Sequence, residues 1–75
     1  MISVNDVRDV IENGEIIENY HEDPRGHSCL MFRQKIKDRP IHVVCAPKED
    51  YLAIITAYIP NPDEWDSAFK KRKKI

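Results

Sequence analysis

Two apolar runs joined by a short polar connection constrain this chain more than anything else in it. Ile-His-Val-Val-Cys-Ala (Ile41 to Ala46) and Tyr-Leu-Ala-Ile-Ile-Thr-Ala-Tyr-Ile (Tyr51 to Ile59) flank Pro47, Lys48, Glu49 and Asp50. β-Branched and aromatic residues dominate both runs, and neither contains an internal Pro or Gly. Such runs around turn chemistry predict a hairpin of two central strands. The second run is apolar on both of its faces and is expected to be the most buried strand. The rest of the 75 residues must pack on this hairpin or extend it.

Upstream, Ser3 and Asp6 are spaced as a variant of the capping box, and Ile2 and Val7 as a hydrophobic staple. Val4, Val7, Val10 and Ile11 recur at three and four residues, which predicts a helix of nine or ten residues with one apolar stripe. Asn13-Gly14 ends it, with Gly14 available for positive φ. Glu15 to Tyr20 reads as a strand and residues 28–36 as another, alternating Leu30, Phe32, Gln34 and Ile36 against Cys29, Met31, Arg33 and Lys35. Between them lies a polar loop, His21 to His27. Lys37 to Pro40 turns the chain into the hairpin. Beyond it, Asn61 is a good cap and Pro62 suits a first helical position, so a short helix is predicted to carry Trp65 and Phe69 back toward the sheet edge. The fold class is therefore α+β: an N-terminal helix on a four-stranded, mainly antiparallel meander, closed by a short C-terminal helix or turn. Residues 1–69 form a single domain and residues 70–75 a basic tail that frays.

A chain of this size buries only about 60% of its unfolded surface and gains from a staple, a metal or a partner. Two cysteines, Cys29 and Cys45, are too few for a disulfide scaffold and favour a reducing compartment. No run approaches the roughly 20 apolar residues of a membrane span, and the start lacks a signal-peptide pattern. A cytoplasmic protein without membrane partners is expected. Charge is unevenly placed within a net of −1. All 13 acidic residues lie at or before Asp66, and five of the 12 basic ones form the run Lys70, Lys71, Arg72, Lys73 and Lys74. Without that run the body holds seven basic residues against 13 acidic, a net of −6. Such asymmetry points to an interaction tail that meets phosphates through sequence-independent contacts, or equally to a solvated terminus. The acidic body suits a basic protein partner.

Several short motifs, in order and spacing, resemble a bacterial and archaeal family, the domain of unknown function 4258. They are Ile2-Ser3, Val-Ile-Glu-Asn-Gly-Glu-Ile-Ile-Glu (Val10 to Glu18), Asp-Pro-Arg-Gly (Asp23 to Gly26), Arg-Pro-Ile-His-Val-Val (Arg39 to Val44), Thr-Ala-Tyr-Ile-Pro (Thr56 to Pro60) and Trp65. That family is similar to the small toxin ribonucleases of the RelE/ParE superfamily. The resemblance implies the toxin half of a prokaryotic toxin–antitoxin pair, with an antitoxin protein and RNA as partners. Family members usually carry a strand and a helix with a His-Ala-x-x-Arg motif ahead of the Ile-Ser position. This chain begins at Met1-Ile2-Ser3 without that element, so either a shortened member or a start lying upstream is expected, and the apolar surface left exposed suits a homodimer.

A metal-independent ribonuclease needs a base, an acid and cations for the phosphate. The candidates are His42, Arg39, Arg33 and Tyr58. His titrates near neutrality, and Arg39, three residues earlier, is read as facing the same concave surface. Tyr58 near a strand end can donate a hydrogen bond, and Arg33 belongs to the neighbouring strand. The same residues admit a structural account, with His42 satisfied by a backbone partner and Tyr58 packed as core. His21, Glu22, Asp23, His27 and Cys29 match no standard zinc spacing, so neither a metal nor another cofactor is expected. Two further readings stand beside the toxin: a non-catalytic interaction or dimerisation domain, and a nucleic-acid-binding module using Lys70 to Lys74.

Overall fold

The computed structural model describes residues 1–24, 26–35 and 38–74. Arg25 of the polar loop, Ile36 and Lys37 at the predicted strand end and turn, and Ile75 of the tail lie outside the described residues. Helix α1 (Val4–Asn13) is followed by strands β1 (Glu15–Tyr20), β2 (Ser28–Arg33), β3 (Ile41–Pro47) and β4 (Leu52–Tyr58). The strands form one antiparallel sheet in the order β1-β2-β3-β4, a meander. The molecule is an α+β fold with α1 packed on one face of the sheet.

The helix begins where the sequence predicts. Ser3 Oγ accepts the Asp6 amide at 3.0 Å, and the Asp6 carboxylate accepts the Ser3 amide at 2.9 Å, completing the capping box. Val10 is fully buried against Cys29, Ile41, Val43 and Cys45, with Ile2, Val7, Ile11, Met31 and Ala57 packed around them. Cys29 and Cys45 stand opposite each other across β2 and β3 with sulfurs 3.6 Å apart, as free thiols.

Gly14 ends the helix by a different device from the one its sequence suggests. Its φ is −83°, an ordinary extended conformation, and its amide donates to the Val10 carbonyl. Glycine is needed there for space. A Cβ would stand 2.4 Å from the Val10 oxygen and 2.6 Å from the Phe32 oxygen, both backbone atoms.

Three further expectations are corrected. β4 is an edge strand, not a central one, and it is the more exposed member of its hairpin; the buried strands are β2 and β3. Residues 61–65 form a turn, not a helix: Asn61 Oδ1 accepts from the Asp63 amide, and the Asn61 carbonyl accepts from Glu64 and Trp65. The basic tail is hydrogen-bonded back to the chain as far as Lys73 instead of leaving it at Lys70. Asp66 donates to the Lys71 carbonyl and Lys73 to the Glu64 carbonyl, both at 2.9 Å, and Trp65 and Arg72 form an isolated bridge. The segment 60–74 thus folds back as a strap across the sheet face opposite α1.

Candidate functional site

Alternation along β3 sends Ile41, Val43 and Cys45 to the helix face and His42, Val44 and Ala46 to the other. His42 stands opposite Phe32 of β2 and Tyr58 of β4. The strap closes the fourth side, placing the Trp65 indole edge-on at a centroid distance of 4.5 Å. The Phe32 and Tyr58 rings meet the imidazole edge-on as well, at 5.7 and 5.3 Å. His42 is 0% exposed and Trp65 2%.

Both imidazole nitrogens are occupied. Nε2 lies 2.8 Å from the Phe69 carbonyl oxygen, which only accepts, so Nε2 carries the proton. Nδ1 is then the acceptor for the Tyr58 hydroxyl at 3.2 Å. Burial holds the His42 pKa below its ordinary value, outweighing the Phe69 bond and the charge of Glu18. Burial also raises the Tyr58 hydroxyl. Phe69 itself has φ of 60°, a left-handed conformation that costs a non-glycine residue of order 1–3 kcal/mol. Its carbonyl reaches His42 from that conformation.

A second layer secures the strap. The Arg72 guanidinium lies 4.6 Å over the Trp65 ring. It also clamps the Glu18 carboxylate, Nε to Oε2 at 3.0 Å and Nη2 to Oε1 at 3.1 Å. Tyr20 donates to the same carboxylate. Burial pushes Glu18 upward, yet the bonds from Arg72 and Tyr20 win and its pKa falls below the ordinary value. Burial and the Glu18 carboxylate push the Tyr20 hydroxyl up to about 12. Lys70 pairs with Glu15 at 2.8 Å, its ammonium 5.9 Å from the centre of the Phe32 ring.

The four residues singled out for catalysis divide between the two faces. His42 and Tyr58 touch beneath the strap. Arg33 and Arg39 serve the helix instead: Arg33 Nε meets Asp9 at 3.3 Å, and Arg39 Nη2 meets Asp6 at 3.0 Å and the Met1 carbonyl. The spacing of Arg39 and His42 explains the separation, because an odd step along an extended chain changes face. Of the basic run, Lys70 and Arg72 are drawn onto β1, while Lys71, Lys73 and Lys74 are exposed. Glu18 and Tyr20 were not among the sequence candidates. Their step of two on β1, facing a chain end rich in cations, is the signal that marks them.

Elsewhere, His21 and His27 stack with centroids 4.7 Å apart, and His27 Nε2 lies 3.1 Å from Asn19 Oδ1. Asp23 accepts from Ser28 Oγ at 2.8 Å. Cys29 belongs to the helix-side core. No group of three or more His, Cys, Asp or Glu among the described residues is placed to hold a metal ion. No helix among them is long and apolar enough to cross a membrane.

No curated protein and no solved structure matches the chain. Residues 1–59, which span α1 and all four strands, match the model of a domain of unknown function, DUF4258, and the chain belongs to that family.

Proposed function

We propose that this chain is a protein-interaction domain that recruits an extended partner segment along the free edge of β4. The observation that carries the reading is the contrast between its two candidate surfaces. His42, the residue best suited to acid–base work, is completely buried with both nitrogens engaged. β4, by contrast, is an edge strand whose outer side pairs with no other strand among the described residues, beside the exposed side chains of Tyr51, Leu52, Ile54 and Ile59. Strand addition uses these features, with main-chain hydrogen bonds for affinity and alternate side chains for selectivity. Its setting in this reading is the reducing interior of a prokaryotic cell, which the paired free thiols suit.

The test is a titration of the purified chain with a short β-branched peptide bearing neutral ends, followed by amide hydrogen exchange. Slowed exchange confined to β4, and lost in Ile54→Lys, is the expected result. Slowing elsewhere, or none, overturns the reading.

One observation favours a second reading, a toxin-like ribonuclease with an antitoxin partner. His42, Tyr58, Lys70 and Arg72 all belong to the sheet face opposite α1. In this reading the strap must lift before His42 meets a 2′-hydroxyl. RNA cleavage by the wild type, lost in Tyr58→Phe, would favour it; the interaction reading expects no cleavage.

A further inference from the structure

The proposed docking edge also specifies what fits it, an inference that rests on the interaction reading above. The two edges of the sheet are built differently. β1 carries Glu15 and Glu18, which Lys70 and Arg72 engage from the strap, and it is bulged at Ile17. Those are the usual guards against an incoming strand. β4 has one guard, a bulge at Ile55. From Tyr51 to Pro60 it has no charged residue, and from Leu52 to Tyr58 no proline.

One face of β4 is also unfinished. Ile54 pairs with Cys45, Leu52 with Pro47 two residues on, and Ile59 is two residues from Ala57. Cys45 and Ala57 pack in the helix-side core, so Leu52, Ile54 and Ile59 all lie on the helix side. They are nevertheless 37%, 46% and 45% exposed, because α1 lies over β2 and β3. At 100° per residue, Val7, Ile11 and Val4 occupy the flank of α1 opposite Asp6 and Asp9. Asp9 faces Arg33 and Lys35, so the apolar flank is turned toward β4. The result is an apolar shelf beside a strand edge, about seven residues long, that pairs with no other strand among the described residues.

Charge decides the occupant. Exposed Glu49 and Asp50 lead into β4, and exposed Asp63 and Glu64 follow it. Glu64 is near enough to act on the Tyr58 hydroxyl electrostatically. Two cations lie nearby: the Lys48 ammonium is close to Gly26, and Lys73 meets the Glu64 carbonyl through its backbone amide, leaving four acidic residues against two basic ones around the ends of β4. An antiparallel β4–β4 pair would bring the end of each copy that carries Glu49 and Asp50 toward the turn of the other that carries Asp63 and Glu64, acid near acid at both ends. Like charges so placed oppose association.

We propose that the β4 edge seats an extended segment of a different protein, about seven residues long, apolar on the side facing the shelf and carrying Lys or Arg at both ends. Four exposed ion pairs, each modest, add up to a preference of about tenfold for basic over acidic ends, reduced by salt.

Labelled peptides sharing one β-branched core, with Lys, Ser or Glu pairs at both ends, are titrated into the full chain by fluorescence anisotropy at low and high salt. The expected order is Lys over Ser over Glu. It should collapse at high salt and invert in the combined variant Glu49→Lys, Asp50→Lys, Asp63→Lys, Glu64→Lys. Ile54→Lys should bind none of the three. Equal binding of all three, abolished by Ile54→Lys, overturns the basic-partner inference and leaves strand docking standing. So does a dimer, seen in sedimentation, that Ile54→Lys dissolves. Failure of every peptide to bind overturns both.

Discussion

At 0% exposure and with a proton fixed on Nε2, the His42 imidazole works as a neutral polar core group joining β3, β4 and the strap. That role has a pH signature. Its folded pKa lies below the ordinary 6.5, so under mild acid the folded chain holds fewer protons than the unfolded one. The stability it contributes is complete above 6.5 and is lost as pH falls from there through the folded value. Urea midpoints between about pH 7.5 and pH 5 should therefore decline, ahead of the carboxylate losses expected below about pH 4. A midpoint that rises on acidification in that interval would contradict the assignment. Trp65 is the roof of the same cluster, and Trp65→Ala should cost about 3–5 kcal/mol in equilibrium unfolding. Gly14→Ala should cost about 1–3 kcal/mol, because the new methyl meets backbone carbonyls that have no room to yield. A gain in stability, as expected for a glycine merely relieved of chain entropy, would refute the packing account.

The elements separate into those set by local chemistry and those set by what surrounds them. α1 was legible because Ser3, Asp6 and the stripe through Val10 act within a few residues of one another. β1 was legible to its limits for the same reason. β4 was misplaced because apolar side chains on both faces say that a strand is to be covered, not that its own chain covers it. The run of Ile54, Ile55 and Ile59 reads alike beside a core and beside a docking site. The return of Trp65 to the sheet was legible, but the fastening of the strap beyond it was missed for a different reason. Lys70 to Arg72 were read as reaching outward, yet the acidic residues that meet them, Glu15 and Glu18, are in the same chain. Opposite charges at the two ends of a short chain are as good a signal for closure as for partners. Arg72→Ala removes the clamp on Glu18 and the contact with Trp65 together, and should lower stability by about 1 kcal/mol. Thermal unfolding in low salt would read this, and high salt should shrink the difference.

For the whole molecule, the strap and α1 cover opposite faces of one sheet, and their coverage is unequal. β2 and β3 are enclosed, β1 is tied down by cations, and β4 is left with an open edge and an apolar flank. The family match spans the helix and the sheet but assigns them no activity. The residues that suggested chemistry in the sequence divide between the two faces, which is why the open edge and not His42 anchors the functional reading. Amide hydrogen exchange across the unliganded chain tests this directly. Slow exchange is expected at the strap amides of Asp66 and Lys73 and at those of β2 and β3, with fast exchange at the outward-facing amides of β4. Fast exchange along the strap, together with protection on both edges of β4, would contradict it: His42 would then be accessible, and β4 already paired.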